Sequence, residues 1–405
     1  MWGVYALILW EASCFAALYF LKNLKGFTYS PISERSLNQN QIQVVRALLD
    51  GESRYVTHDS DLGWTIKPNG SSASLYHANS QGIRARRNYS EVPDPDMIRV
   101  VTFGDSFTEG YEVKNEETWQ AQLENLDRRF EVLNFGVRGY GVDQAYLRFV
   151  KHGAKYKPTL VIIGFISENI LRSVNVFRPF YFRATRLPMA KPRFTIANNK
   201  LVLLPNPLPR INDYRKLIED PAPAIAALGM NDSFYQNGYY SGRLDILPSI
   251  KLLKMLRFNF FTAERMSVSQ SYQANSEAFQ VTLAVLSRFY QEVLSHSSKP
   301  VILLLPDSRD VKRTIEGLPS HYQPLLEALK DRKMKVLDAA EAFADEPTSL
   351  PITRFFLKEG HYSGEGNRVV AHYVLKGLRT ILNENNPIAR LHKSSHQPNE
   401  VRFDP

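Results

Sequence analysis

The sequence predicts an α/β protein built on a parallel sheet, because apolar strands alternate with amphipathic helices. Three runs of apolar and β-branched residues fit buried strands, at 98–103, 130–134 and 159–164. Two segments with apolar residues at helical spacing lie between them, Thr118 to Leu126 and Asp143 to Lys151. Strands joined by helices in this order run parallel, with right-handed crossovers.

The flanking residues justify each of these elements. Trp119, Leu123 and Leu126 fall on one face of the first helix, which would pack on the sheet. Asp143 is a suitable N-cap for the second helix. The strand at 159–164 is apolar throughout, as expected of a central strand that is covered on both faces.

The α/β alternation stops at about residue 172 and resumes near residue 275. The segment 172–265 is rich in proline and aromatic residues and is too long for an ordinary connection. We expect it to be an insertion that forms a lid or a substrate wall, with structural filler as the alternative. The main domain, 96–385, would then continue with a helix at 275–295, strands at 300–305 and 335–337, and a final helix at 365–382.

Composition narrows the class of protein. The chain has 405 residues, of which 44% are hydrophobic and 12% aromatic, and these fractions fit a packed globular protein. The formal net charge is +9, but the basic residues are scattered. A dispersed positive charge suits an acidic polymer or an anionic membrane surface better than nucleic acid, for which no binding motif is present.

The N-terminus predicts a membrane anchor over residues 1–26. The segment from Trp2 to Leu21 is apolar, is about long enough to cross a bilayer, and is followed by Lys22. A cleaved signal peptide is the alternative, although no basic region precedes the apolar run. Glu11 is the one charge inside the segment, so it would face a partner helix, or the segment would lie in the membrane interface.

The segments on either side of the main domain contain few sequence patterns that predict a structure or a function. Residues 27–95 are polar and rich in turn signals, and we expect a lead-in that packs on the main domain. Residues 386–405 form a polar tail. Cys14 is the only cysteine, so the chain has neither an intrachain disulfide nor a cysteine metal cluster.

Three turns that follow three successive strands carry groups suited to acyl chemistry. Ser106 follows the first strand in Gly-Asp-Ser, Gly136 follows the second, and Asn169 follows the third. Turns at the carboxyl ends of parallel strands share one edge of the sheet, so these groups can converge. The backbone N–H groups of Ser106 and Gly136 and the amide of Asn169 would stabilise an oxyanion.

A base for the serine lies far downstream. His361 stands in a turn before the last predicted helix, and a neutral imidazole can remove the proton of a serine hydroxyl near neutral pH. His372, by contrast, lies in the middle of that helix and is most simply a packing or surface residue.

With these four blocks in this order, the chain resembles the SGNH hydrolase superfamily, also called GDSL-type esterases. The resemblance covers about residues 98–171 and 300–380. It implies a flavodoxin-like three-layer α/β/α fold with a central parallel sheet. It also implies ester hydrolysis or acyl transfer through a serine, with no cofactor and no metal ion.

The chain departs from the family pattern at two positions. Ile170 stands where the family often has an aspartate after the third-block asparagine, but this position donates no catalytic hydrogen bond. Lys358 stands where the family usually has the triad acid, three residues before the histidine. Glu359, two residues before it, would complete the triad; otherwise Ser106 and His361 would act as a dyad.

The resemblance predicts a membrane-anchored serine esterase or O-acyltransferase. Membrane-tethered relatives with a long insertion resemble enzymes that modify exported polysaccharides. We therefore expect an acylated glycan, carrying acetyl groups in particular, as substrate and a catalytic domain outside the cytoplasmic membrane. A multipass membrane protein could deliver the acyl group. The alternatives are a lipid or lysophospholipid esterase and a catalytically degenerate protein that only binds glycan.

Overall fold

The computed structural model describes residues 2–24, 27, 37–72, 75–238, 242–257, 259–260, 267–346 and 351–383. The predicted tail at 386–405 lies outside these residues. The N-terminal part consists of a long apolar helix, a shorter helix and two small antiparallel hairpins: α1 (Trp2–Leu24), α2 (Gln39–Leu49), β1 (Val56–Asp59), β2 (Gly63–Ile66), β3 (Ser71–Ser72) and β4 (Tyr76–His77). Helix α1 is long and apolar enough to cross a membrane.

The first half of the main domain follows the predicted alternation closely. It comprises β5 (Ile98–Phe103), α3 (Ser106–Glu109), α4 (Trp119–Leu126), β6 (Phe130–Asn134), α5 (Val142–Arg148), β7 (Leu160–Phe165) and α6 (Asn169–Arg172). Thr118 caps α4 by accepting a hydrogen bond from the backbone of Ala121. The predicted N-cap of the next helix is wrong: Gly141 holds that position, and Asp143 lies inside α5, buried in an ion pair with Lys191.

The predicted insertion contains one hairpin and several short helices. These are β8 (Arg193–Ala197), β9 (Lys200–Leu204), α7 (Lys216–Glu219), α8 (Pro221–Gly229), α9 (Ser233–Gln236) and α10 (Pro248–Arg257). The start of the insertion is fixed by the buried carboxylate of Asp232, which accepts hydrogen bonds from the backbone of Val176 and Phe177 and from the Asn175 amide. These bonds satisfy the polar groups of an otherwise irregular segment.

The second half of the domain completes the sheet. Its elements are α11 (Val268–Ser271), α12 (Glu277–Ser295), β10 (Lys299–Leu304), α13 (Ser308–Ile315), α14 (Gln323–Asp331), β11 (Val336–Asp338), α15 (Ala340–Ala344) and α16 (Gly364–Asn383). The five-stranded sheet has the order β11-β10-β7-β5-β6, with all strands parallel. The predicted fold is therefore confirmed.

The sheet is buried on both faces, which gives three layers. One face packs Phe103 and Ile163 against α5 and α12, and the other packs Val100 and Ile162 against α4 and α16. The strand order reverses between β5 and β7, since β6 lies outside β5 and β10 lies outside β7. Ligands of open α/β sheets bind at the carboxyl ends of the strands at such a reversal.

Candidate active site

Ser106 lies at the reversal point, at the start of a very short helix. Asp105 adopts an extended backbone and caps α3 by accepting a hydrogen bond from the backbone N–H of Phe107. Gly104 has φ +155°, and a Cβ there would clash with the side chain of Thr108. The strand-to-helix turn therefore needs glycine before the aspartate, and it leaves the Ser106 hydroxyl facing the cleft.

His361 is the residue that contacts the hydroxyl of Ser106. Its Nε2 lies 2.9 Å from Ser106 Oγ. A tight turn fixes the ring: Gly360 has φ +89°, and the N–H of Leu357 donates to the carbonyl of His361. The imidazole lies between the rings of Phe107 and Tyr111, with centroids 5.1 and 4.8 Å away.

The carboxylate that orients His361 is that of Glu112, and not that of Glu359. Glu112 Oε2 lies 2.9 Å from His361 Nδ1. A carboxylate can only accept, so Nδ1 carries the proton and Nε2 is left to accept from the hydroxyl of Ser106. The carboxylate of Glu359 instead pairs with exposed Arg186 at 3.4 Å. We call the hydrogen-bonded chain Ser106–His361–Glu112 the relay. Glu359 contacts the relay through its backbone N–H, which donates to Glu112 Oε1.

Glu112 has an unusual backbone conformation that the lead-in helps to hold. Its φ is +71°, in the left-handed region that non-glycine residues seldom adopt. Its backbone N–H donates to the hydroxyl of Tyr76 at 2.8 Å, and Tyr76 belongs to strand β4, outside the main domain. Strained backbone of this kind is often found at functional sites, where surrounding contacts maintain it.

The structure does not place Gly136 where an oxyanion could use its N–H. That N–H donates to Asn134 Oδ1 at 2.9 Å. A Cβ at Gly136 would lie 2.2 Å from the backbone nitrogen of Glu109, so the glycine is needed for a close approach of two backbone segments. This predicted oxyanion residue thus has a structural role.

Gly139, three residues later, fits the oxyanion role better. It lines the same cleft as Ser106 and His361, and its φ of +79° requires glycine. Within the described part of the chain, neither its N–H nor that of Ser106 donates a hydrogen bond. Asn169 is buried at the start of α6, and its Oδ1 has no partner among the described residues.

Arg172 contacts residues from all three turns of the site. Its guanidinium contacts Asp105 after β5 at 3.2 Å, the carbonyl of Tyr140 after β6 at 2.8 Å, and Glu168 after β7 at 3.1 Å. The side chain is almost fully buried. One planar group with several donors therefore sets the relative positions of loops from three strands.

The pKa values of the two carboxylates beside Arg172 are shifted in opposite directions. Burial alone would raise the pKa of Glu168, but Arg172 and Arg178 lower that pKa to about 2. Asp105 is fully buried, and this burial raises its pKa above the ordinary value despite the neighbouring Arg172. Glu168 therefore stays ionised in the cleft across the physiological pH range.

A second ion pair packs against the residues that contact His361 and Glu112. Arg138 pairs with the fully buried Glu109 of α3, the helix that begins at Ser106. The Arg138 guanidinium also lies 4.5 Å from the ring centres of Tyr76 and Tyr111. Because Tyr111 contacts His361 and Tyr76 contacts Glu112, this arginine packs behind both partners of the relay.

The relay opens into a cleft of about 1080 Å³. Its walls come from the lead-in, the insertion and the main domain, and they mix aromatic residues such as Tyr181 and Phe182 with basic ones. Arg54, Arg178 and Arg186 lie along it. Within the described residues, no group of three His, Cys, Asp or Glu side chains could hold a metal ion.

The sequence reasoning missed Glu112, Tyr76 and Gly139. Glu112 follows Ser106 by only six residues, but no spacing rule distinguishes it from a surface glutamate. Gly139 was visible as the second glycine of Asn134-Phe-Gly-Val-Arg-Gly139, although the sequence does not show which N–H is already bonded. The contact of Tyr76 depends on how the lead-in docks.

Similar solved structures include a G-D-S-L family protein from Desulfitobacterium hafniense DCB-2 (18% identity, TM-score 0.36, covering 69% of this chain and 99% of that one). Others are a GDSL-like lipase from Bacteroides thetaiotaomicron VPI-5482 (12%, 0.34, 71% and 91%) and a variant of an acetyl xylan esterase from Geobacillus stearothermophilus (12%, 0.35, 71% and 96%).

No curated protein sequence matches the chain. The model of the GDSL-like lipase/acylhydrolase family matches residues 100–374, which is more than half of the chain. That span includes Ser106, Glu112 and His361. The chain therefore belongs to the GDSL-like lipase/acylhydrolase family, and it is an SGNH-type hydrolase.

Proposed function

We propose that the protein is a serine esterase or O-acyltransferase that acts on acyl groups, acetyl groups in particular, carried by a glycan. The observation that carries the proposal is the hydrogen-bonded chain Ser106–His361–Glu112, which ends in an open cleft. A nucleophile, a base and an orienting carboxylate in this order are the requirements for acyl-serine chemistry.

The first half-reaction forms an ester with the enzyme. Ser106 Oγ attacks the acyl carbonyl carbon while His361 Nε2 takes the hydroxyl proton. The carbonyl oxygen becomes an oxyanion, to which the N–H groups of Ser106 and Gly139 and the amide of Asn169 would donate. Glu112 stabilises the imidazolium that forms. When the tetrahedral intermediate collapses, the bond to the leaving alkoxide breaks and His361 returns the proton to that oxygen.

The second half-reaction releases the acyl group from Ser106. His361 takes a proton from water or from a sugar hydroxyl, whose oxygen attacks the acyl-serine carbonyl. Water gives the free acid, and a sugar hydroxyl gives a new ester. Both outcomes regenerate the Ser106 hydroxyl with the same residues, so the acceptor that the cleft binds decides between hydrolysis and transfer.

The cleft supports a polar and extended substrate. It is wide, it is open to solvent, and it carries Arg54, Arg178 and Arg186 beside aromatic side chains. Aromatic faces pack on sugar rings, and guanidinium groups bind carboxylates of an acidic glycan. The net charge of +9 adds attraction for such a polymer.

We also propose that helix α1 attaches the enzyme to a membrane. Its side chains are exposed along most of the helix, including Trp2, Leu9 and Phe15. Large contiguous apolar surfaces of this kind mark membrane or protein contacts. Placement of the catalytic domain outside the cytoplasmic membrane and an acyl-donating multipass partner both stay predictions from the family resemblance.

The test is ester turnover by the full-length protein in detergent, beside Ser106→Ala. We expect release of p-nitrophenol from the acetyl ester, a sharp decline with acyl chain length, and release of acetate from an acetylated acidic polysaccharide. A preference for long acyl chains, with release of fatty acid from lysophospholipid micelles, would favour the lipid esterase instead. Turnover that is equal in Ser106→Ala would contradict the proposal.

A further inference from the structure

Helix α10 of the insertion packs along helix α1. The carboxylate of Glu11, in the middle of α1, accepts hydrogen bonds from the backbone N–H and the hydroxyl of Ser249, at 2.9 and 2.6 Å. Ser249 is in the first turn of α10, where free N–H groups favour a negative charge. The one acidic residue of α1 thus has its partner within the chain.

The two helices run in the same direction. Ser249 at the start of α10 lies beside Glu11, and Phe260, just beyond the end of α10, contacts Phe27 with ring centroids 5.4 Å apart. Helix α10 therefore lies alongside the second half of α1. The covered stripe of α1 includes Cys14, which is buried, and the half-buried Leu18 and Leu21.

Helix α10 and the residues that flank it on both sides carry an exposed apolar surface. Its large side chains are between 37% and 82% exposed, and they are Leu244, Ile246, Leu247, Leu253 and Phe260. Helix α1, against which α10 packs, carries further exposed apolar side chains. Basic residues alternate with the apolar surface of α10 at Arg243, Lys251, Lys254 and Arg257, and Asp245, which pairs with Lys254, is the one acidic residue of that segment.

This combination of apolar and basic residues is typical of a helix that lies in the interface of an anionic bilayer. The position of the basic residues also limits how deeply α1 can insert into the bilayer. If α1 crossed the bilayer along its normal, Lys251, Lys254 and Arg257 would enter the hydrocarbon region beside its second half, which is unfavourable. Only residues 2–10 extend beyond α10, a length of about 13 Å, against a hydrocarbon core of about 30 Å.

The distribution of tryptophan and tyrosine along α1 also indicates that the helix does not insert deeply into the bilayer. Trp2, Tyr5, Trp10 and Tyr19 are all exposed and are distributed over the whole helix. Tryptophan and tyrosine concentrate at the membrane–water boundary, which a spanning helix meets only at its two ends. A helix that lies in the interface places all four at that boundary.

We propose that α1 and α10 together form a two-helix membrane-binding unit that lies in one leaflet of an anionic bilayer, and that α1 does not cross it. The sequence favours an anchor that crosses the membrane and leaves an interfacial helix as an alternative. The packing of α10 beside α1, which the sequence does not show, favours the interfacial helix. The proposal rests on these helices alone and is independent of the esterase activity.

Contact of α10 with lipid is tested by an environment-sensitive fluorophore on the full-length protein in a Cys14→Ala background. The label is placed at Leu253→Cys, and the control is Met230→Cys, an equally exposed apolar position of the insertion. With vesicles that contain phosphatidylglycerol, we expect a blue-shifted emission at position 253 only. Emission at 253 that stays as in water, while the protein floats with the vesicles, would overturn the role of α10.

Topology is tested with epitope tags at the two ends of the chain in sealed spheroplasts and in inverted membrane vesicles. If the unit lies in one leaflet, a protease should remove both tags in the same preparation. Removal of the two tags in opposite preparations would show that α1 spans the membrane, and that result would overturn the proposal. Neither readout depends on ester turnover, so a failure of the proposed activity would be recognised separately.

Discussion

Replacement of Glu112 by glutamine is the sharpest test of the proposed relay. The change keeps the shape of the side chain and its ability to accept from His361 Nδ1, but it removes the negative charge 2.9 Å from the imidazole. During the reaction the imidazole becomes positively charged, so the lost attraction acts in the transition state. Substrate binding does not need that charge, and KM should change little.

The magnitude follows from the geometry. Two unit charges 2.9 Å apart attract by about 6 kcal/mol at an effective dielectric constant of about 20. Both side chains are less than one-fifth exposed, so solvent weakens this attraction only in part. We expect a loss of about 3–6 kcal/mol in transition-state stabilisation, which is roughly a 10²- to 10⁴-fold lower kcat.

The assay is steady-state hydrolysis of p-nitrophenyl acetate, with Glu359→Gln as the matched control. The side chain of Glu359 forms an exposed ion pair with Arg186, and the backbone N–H that donates to Glu112 is kept in the variant, so kcat should change by less than about threefold. If Glu359→Gln lost the activity and Glu112→Gln kept it, the assignment of the relay would be refuted. If neither variant lost activity, Ser106 and His361 would act as a dyad.

Three further substitutions test the surroundings of the relay. Tyr76→Phe removes the acceptor for the N–H of Glu112 and should lower kcat by about tenfold. The control is Tyr55→Phe, which should leave kcat unchanged because the buried hydroxyl of Tyr55 has no partner among the described residues. Equal losses of kcat in the two variants would contradict the role of Tyr76. Asn169→Ala should lower kcat by about 10²- to 10³-fold with little change in KM, measured with the same ester; a change in KM alone would place Asn169 in substrate binding. Glu168→Gln should lower the free energy of unfolding by about 1–2 kcal/mol at pH 7, after allowance for the partial exposure of Glu168. Because the folded-state pKa of Glu168 is about 2, below the ordinary 4.5, this stabilisation is complete above pH 4.5 and fades towards pH 2, so urea unfolding of the two proteins should converge in acid.

The sequence alone predicts the central sheet and two members of the relay, Ser106 and His361. Strands such as 130–134 are apolar runs bounded by turn residues, and burial on both faces leaves few other conformations for them. Ser106 and His361 each stand in a turn at a position that the strand pattern identifies. Their meeting at 2.9 Å follows from the parallel sheet and from the packing of the last helix.

The remaining parts of the site depend on contacts that local patterns do not encode. Glu112 contacts His361 from a backbone with positive φ, and Tyr76, from a separate segment, accepts a hydrogen bond from its N–H. The choice between Gly136 and Gly139 depends on the side chain of Asn134, which takes the N–H of Gly136. The packing of α10 on α1 joins residues more than 230 positions apart and has no sequence signal.

Mass spectrometry of the full-length protein, quenched during turnover of p-nitrophenyl acetate, would detect an acyl-serine intermediate directly. We predict one acetyl group on the peptide that contains Ser106, which accumulates in an initial burst and is absent from Ser106→Ala. An acetyl group on another residue, or undiminished turnover by Ser106→Ala, would contradict an acyl-serine mechanism at this site.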